Sequence, residues 1–556
     1  MLVTIDGKTA ELRPGATILE YIGELGLDSD SLDKKPLAAQ LGGEIFNLGY
    51  CPKRDCEITL LRFEDEEGRR VYERTLQFVL IIAVRKLFPN ARVIVQYSMG
   101  EGVYITIRKE PELSDEDVAL LKTEMQRITE AGLPLIRKRM SIKEALDFYN
   151  KDGQLDKAAL LDWRKFTYYD TYSCPDYSEH RDYFYGEMCP GTGYVKVFDL
   201  HRIGDSLVML LPSKTDPDVA AQYEESPRML AVFEQSDRWG RLMNVSTVHE
   251  LNRRVENGSI RELVRVNEAL HEKNYARVAD DIIARGVKAV MLAGPSSSGK
   301  TTSANRIATQ LRAEGMDPIM LSLDDYYIDR DRIAPGPDGK LDLEHINTLD
   351  TELFAKHLDL LMQGEEVEIP RFNFLTQRRE AEGVPLRLHK DQPLIVEGIH
   401  GLNPMMLGDI DPSKVYRIYV SALTTLNLDD HNRIRTTDLR LLRRLVRDYK
   451  TRGASMEHTL GMWASVRRGE ARWIFPYQEN ADTIINTTLH YEAAVMKSYV
   501  YPLLLEVQPE SPYYCAARSI VKFLNYVLEA DIEDEIPPTS VIREFIGGNS
   551  FYREND

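Results

Sequence analysis

The chain is 556 residues long with 43% apolar and 28% charged residues, an ordinary composition for folded domains at a length that exceeds what one hydrophobic core serves. Its 70 basic residues stand against 88 acidic ones, a net charge of −18, which opposes non-specific attraction to nucleic acid or to an anionic membrane. No stretch is apolar over the ~18 residues of a membrane span, Met1–Gly7 lacks a basic-then-apolar leader, and the cysteines Cys51, Cys56, Cys174, Cys189 and Cys515 are few and odd in number, so a cytoplasmic protein with reduced thiols and no membrane association is expected.

In chain order, strands are predicted at Leu2–Ile5 and Thr9–Leu12 around Asp6-Gly7, a pair suited to a two-residue hairpin turn. An amphipathic helix over Ile18–Leu25 and a strand over Cys56–Leu61 complete a small mixed domain, residues 1–62. Cys51 and Cys56 have no second Cys or His pair at zinc-finger spacing and read as ordinary thiols. Residues 63–225 read as an α+β region, with a helix over Arg74–Leu87, strands over Ala91–Gln96 and Val103–Ile107, and a capping box at Ser141 and Glu144. Tyr168, Tyr169, Tyr172, Tyr177, Tyr183 and Tyr185 crowd together without regularly interleaved basic residues, a pattern of packing more than of base stacking. A charged helical pattern over Val248–Ala284 makes residues 226–285 a helical connector. The apolar run Val287–Ala293 opens the last unit, residues 286–556, expected to be α/β with a mainly parallel sheet and a helical C-terminal extension.

Directly after that run comes Gly294-Pro295-Ser296-Ser297-Ser298-Gly299-Lys300-Thr301, then Thr302. It fits G-x-x-x-x-G-K-[ST], in which small residues let backbone N–H groups curl around phosphate oxygens, lysine adds a charge for the β and γ phosphates, and threonine offers its hydroxyl to Mg2+. The strand before it and a predicted helix over Thr302–Glu314 supply the setting that the loop needs. A GTPase would carry a base-reading N/T-K-x-D segment downstream; the nearest string, Ser213-Lys214-Thr215-Asp216, lies upstream. Phosphoryl transfer needs a carboxylate beside the acceptor hydroxyl, a second near the metal, and cations. Asp324 and Asp325 follow the strand Ile319–Leu323, Glu397 ends the strand Pro393–Val396, and Arg440, Arg443, Arg444, Arg447 and Arg452 recur through Thr437–Gly453 as a phosphate-closing lid.

Over residues 286–500 these strings resemble the uridine kinase and phosphoribulokinase family. The matching segments are Gly294–Thr302, Ser322–Tyr327, Asp342–His345, Ile369–Phe374, Val396–Ile399 and Arg440–Gly453. The resemblance implies ATP and Mg2+ as cofactors, Asp324 as catalytic base, Lys300, Arg444 and Arg447 around the transferred group, and Thr301 and Glu397 near the metal, the latter through water. It places Tyr327, Glu344, His345, Phe372, Phe374, Gln377, Arg379 and Arg440 around a nucleoside-like acceptor. Glu344 stands for an aspartate, Gln377 for a base-contacting histidine and Phe372 for a tyrosine, while Ala454 replaces the second arginine of the lid's Arg-Gly-Arg.

The front end resembles threonyl-tRNA synthetase: residues 1–62 its small β-grasp domain, and residues 63–225 its editing domain. The editing pairs H-x-x-x-H and C-x-x-x-H fall on Arg74 and Phe78 and on Cys189 and Gly193. Three of the four groups cannot serve as ligands or bases, so hydrolytic editing is not expected. A rival reading is an RNA-binding protein in which the P-loop acts as a nucleotide switch, with RNA as partner.

Overall fold

A computed structural model describes residues 2–163, 167–333 and 342–551. At the N-terminus Leu2–Ile5 and Lys8–Glu11 pair as a hairpin whose turn residues, Asp6 (φ 45°) and Gly7 (φ 80°), both take the left-handed backbone that a two-residue turn requires. Leu2–Ile5 also pairs in parallel with Cys56–Leu61, at the centre of a five-stranded sheet. The helix Ile18–Glu24 starts at a Thr17/Glu20 capping box and buries Ile18, Tyr21 and Ile22.

A buried 22-residue helix, Glu66–Leu87, comes next. It shares a core with an antiparallel sheet of Arg92–Met99, Gly102–Arg108, Asp199–Ile203 and Ser206–Leu210. Tyr172, Cys174 and Phe184 are buried in that same core. Ile136–Ser141, Tyr168–Ser173 and Arg181–Asp182 form a separate three-stranded sheet, and Met140, Tyr169 and Tyr183 join one apolar core with Leu439, Leu442, Tyr491 and Phe545 from the far end of the chain. The tyrosines carry this second contact: the rings of Tyr169 and Tyr183 stack at 4.3 Å and Tyr526 Oη donates to Tyr183 Oη at 2.7 Å, apolar bodies with polar tips.

The chain then builds a five-stranded parallel sheet in the spatial order Ile319–Ser322, Leu394–Glu397, Ala289–Ala293, Val415–Ser421, Thr483–Asn486. Buried on both faces, its central strands are continuous apolar runs. The helices over 226–285 are not a free connector. Pro227–Leu242 packs on the edge strand Thr483–Asn486, and Ile260–Arg285 lies along the helix Lys300–Ala313, joined by Tyr275 Oη to Ser303 Oγ at 2.9 Å and by Arg306 to Glu272 at 2.6 Å.

A hairpin, Asn427–Asp429 with Asn432–Arg433, projects from the sheet unit into the front half. Val95 N–H donates to Asp430 O at 2.8 Å, Asn427 Nδ2 to Val95 O at 2.7 Å, and Arg433 pairs with Glu73 at 2.9 Å. Behind it, buried Lys157 bridges Asp182 at 3.0 Å and Asp429 at 3.3 Å. Among the described residues no helix is long and apolar enough to cross a membrane.

Candidate active site

The buried strand Ala289–Ala293 leaves the sheet through Gly294, where a Cβ would stand 2.1 Å from the Val420 carbonyl oxygen, so only glycine fits. Ser297 (φ 57°) and Gly299 (φ 87°) take left-handed backbone, and the loop curls before the helix Lys300–Ala313 begins. Loop N–H groups and the helix N-terminus thus converge on one place, suited to an anion. Lys300 Nζ lies 3.2 Å from Pro295 O, folded across the loop. Thr487 Oγ1, just past the edge strand, donates to Ser298 O at 2.6 Å and holds the loop from outside.

Strand register sets Glu397 opposite both Leu292 and Ser322, beside the end of the loop strand. Asp324 sits in the turn after Ile319–Ser322, its N–H donating to Ser322 Oγ at 3.2 Å. Burial raises the Asp324 carboxyl against the pull of Lys300, with Asp325 adding to the rise. Burial also pushes Glu397 up to about 7, opposed by Lys300 and reinforced by Asp324 and Glu544. Glu344 is pushed up to about 7 by burial and by Glu470, against Arg444 and Lys300. Lys300 acts on all three carboxyls, and Asp324 and Glu397 stand at the C-terminal ends of their strands, where open α/β sheets bind ligands. Tyr327, Phe372 and Phe374 form an aromatic wall, with Phe372 5.6 Å from Tyr327 and 5.1 Å from Phe374. Glu344 rests on the helix Met456–Trp473 at Gly469, where a Cβ would come within 2.3 Å of Glu344 Cβ.

Residues 289–492 match the model of the Phosphoribulokinase / Uridine kinase family. This region is a kinase domain of that family. The N-terminal region is similar to threonine–tRNA ligases: 32% identical over 195 residues to that of Symbiobacterium thermophilum and 30% identical over 198 residues to that of Desulforamulus reducens, 35% and 36% of this chain. The chain spans 29% and 30% of the length of those two ligases. Among solved structures, a possible uridine kinase from Bacillus stearothermophilus is 15% identical, with a TM-score of 0.27 over 38% of this chain and 98% of that one. D-glycerate 3-kinase from Cryptococcus neoformans is also 15% identical, with a TM-score of 0.21 over 48% of this chain and 89% of that one.

Within the kinase domain several expected acceptor residues have other partners. Arg440, expected beside the acceptor, is 1% exposed beneath the loop, where Nε donates to Ser296 O at 2.9 Å and the guanidinium pairs with buried Glu470. Arg379 is spent on structure: it donates to the carbonyls of Tyr326 and Tyr327, each at 2.8 Å, and pairs with Asp350 at 3.0 Å, locking the turn that carries Asp324. His345 accepts from Asn347 N–H through Nδ1 at 3.1 Å and meets Trp473 edge-on at 4.4 Å. Gln377, at φ 59°, and Phe374, 62% exposed, lie on an open hairpin.

The arginine helix, Thr436–Arg452, is also not a freely moving lid with one charged face. Arg443 is fully buried, paired with Glu492 at 2.6 Å and donating to Thr487 O at 2.7 Å. Arg444 reaches Ser296 Oγ at 2.9 Å, and Arg444, Arg447 and Arg452 all pair with Asp448. Helical spacing put these five arginines together; burial against Glu470 and Glu492 turned two of them, Arg440 and Arg443, inward. Two functional neighbours escaped the sequence reading. Glu470 accepts from Ser296 N–H at 3.0 Å, and Glu544 lies against Thr302. Both belong to ordinary helical stretches distant in sequence from the loop, with no motif to mark them.

Proposed function

We propose that the kinase domain transfers the γ-phosphoryl group of ATP to a hydroxyl of a nucleoside-like or similarly polyhydroxylated small molecule. The observation that carries this reading is the phosphate-binding loop between strand and helix, with Asp324 and Glu344 near enough for Lys300 to act on their carboxyls. Asp324 takes the proton of the attacking hydroxyl, Lys300 holds the phosphates, Arg444 and Arg447 offset charge on the transferred group, and Glu344 accepts hydrogen bonds from acceptor hydroxyls. Bound Mg2+ would neutralise the phosphates, with Thr301 and, through water, Glu397 as its protein partners. Among the described residues no group of three or more His, Cys, Asp or Glu could hold a metal by itself. The base side is loosely specified, since Gln377 offers both an amide donor and an acceptor and Phe372 only a ring face.

For the front half we propose binding without hydrolysis. Arg74 Nε donates to Glu187 O at 2.9 Å, and its guanidinium fills the space over Gly186, where a Cβ would stand 2.5 Å from Arg74 Cζ. The Cys189 thiol is buried and pushed up to about 12, mainly by that burial, which keeps it as an unreactive thiol.

The test is a mass-shift screen of a metabolite library with ATP and Mg2+, on the wild type and on Asp324→Asn. One acceptor class should gain a phosphoryl group, and the variant should bind nucleotide yet turn over at least about a hundredfold more slowly. Undiminished turnover in the variant would remove Asp324 from the reaction.

A further inference from the structure

A stretch near the C-terminus, residues 541–549, sits on the phosphate loop. Val541, Ile542, Phe545 and Ile546 are at most 1% exposed in the core shared with the arginine helix. Val541 packs on Gly299 so closely that a Cβ there would lie 2.5 Å from Val541 Cγ1. Phe545 lies beneath the Arg443 guanidinium at 5.2 Å, and Lys450 Nζ donates to Ile546 O at 2.6 Å. From this seat Glu544 reaches the first turn of the loop helix: its Oε2 accepts from Thr302 Oγ1 at 2.8 Å and lies 3.4 Å from Thr302 N. Asn549 Nδ2 stands 3.4 Å from the same hydroxyl.

Those Thr302 groups have another natural partner. In a P-loop the backbone N–H groups cradle the α and β phosphates while the lysine reaches the β and γ phosphates. The N–H and hydroxyl one residue beyond Thr301 are therefore donors for the α-phosphate. An anion at a helix N-terminus is favoured whether it is phosphate or carboxylate, and Glu544 supplies the carboxylate from within the chain. Glu397 registers the same charge, since Glu544 adds to the upward push on its carboxyl.

We propose that Glu544 is an internal competitor for the α-phosphate, and that residues 541–549 form the nucleoside-side wall of the nucleotide site. The inference rests on the P-loop binding a nucleotide, as proposed above. Releasing four buried apolar side chains costs far more than releasing one hydrogen-bonded carboxylate. Nucleotide binding therefore turns the Glu544 side chain out and leaves the segment seated. The carboxylate sets affinity: it is a like charge that a nucleoside diphosphate must displace, whereas an anion that fills only the β and γ positions need not.

The experiment is calorimetric titration of the full chain with ADP and, separately, with inorganic pyrophosphate. The proteins are the wild type, Glu544→Gln, Glu544→Asp and Lys300→Ala. Glu544→Gln removes the charge; Glu544→Asp keeps it but falls short of Thr302 by one methylene. Both should bind ADP about tenfold more tightly than the wild type and pyrophosphate no differently. ADP affinity unchanged or weakened in both variants overturns the proposal, as does an equal gain for pyrophosphate, which would mark a general charge effect. Should Lys300→Ala bind ADP as well as the wild type, the P-loop reading fails with it; loss in Lys300→Ala with no gain in the Glu544 variants sinks the competitor alone.

Discussion

Glu344 shows how one side chain's surroundings set its usefulness. Its carboxyl, pushed up to about 7 by burial and Glu470, is largely neutral at pH 6 and ionised at pH 8, and the ionised form accepts from hydroxyls more strongly, through charge-assisted bonds on both oxygens. Acceptor binding should therefore strengthen as pH rises, about tenfold per unit below pH 7, then level off. Titrating the acceptor into Asp324→Asn protein, where the proposed base cannot ionise, isolates this effect; persistence of the same slope after adding Glu344→Gln would assign it elsewhere. Beneath Glu344, Gly469 leaves room for the longer carboxylate, since a Cβ would come within 2.3 Å of Glu344 Cβ. Gly469→Ala should push Glu344 aside and raise the acceptor KM about tenfold or more, leaving the ATP KM near its original value, because overpacking by one methyl displaces neighbours before it unfolds a helix. Equal loss on both substrates would mean that the helix itself had moved.

At the scale of elements, the inserted hairpin and the arginine helix act as one piece. The hairpin Asn427–Asp429/Asn432–Arg433 ends three residues before the helix Thr436–Arg452 begins, so whatever holds the hairpin holds the start of that helix. The hold is Glu73, which faces Arg433 at 2.9 Å and Arg435 at 3.5 Å and whose carboxyl these cations keep down at about 2 despite burial. A depressed carboxylate stabilises the fold above its unfolded range near pH 4 and loses that contribution as pH falls toward 2. Glu73→Gln leaves the half-buried Arg433 and Arg435 without this counter-charge and should cost about 2 kcal/mol in urea unfolding at pH 7. The difference from wild type should shrink on acidification; a variant as stable as wild type at pH 7 would show the cluster to be dispensable.

For the whole molecule, the sequence divides into recognisable pieces but the core does not. Tyr169 and Tyr183 from the front half and Leu439, Tyr491 and Phe545 from the kinase half are buried in one cluster, and Lys157 of the front half neutralises Asp429 of the kinase half, itself fully buried. Segment 226–556 made alone would expose that apolar face and leave Asp429 without its cation. It should aggregate or melt well below the full chain, and the full chain should unfold in one calorimetric transition across this core. A soluble 226–556 segment with the full chain's melting temperature would mean that the halves are independent.

Much of this was legible in the residues themselves. The hairpin at Asp6-Gly7, the apolar strands and the loop Gly294–Thr301 follow from local backbone sterics and hydrophobic period, which depend on neighbours in sequence. Asp324 and Glu397 were likewise readable, because a strand end dictates where its last side chains face. What the sequence could not settle was partner choice across distance. Whether an arginine of Thr436–Arg452 meets phosphate or a buried carboxylate depends on Glu470 and Glu492 arriving from other helices. That Met140, Tyr169 and Tyr183 join the C-terminal core while Tyr172, Cys174 and Phe184 stay in the front-half core depends on matching apolar surfaces hundreds of residues apart. The seating of Glu544 on Thr302 depends on the burial of Val541 and Phe545. Burial energy is a property of assembled surfaces, not of any one segment, so only the tertiary structure decided which charges stayed open for chemistry and which were spent on holding the fold.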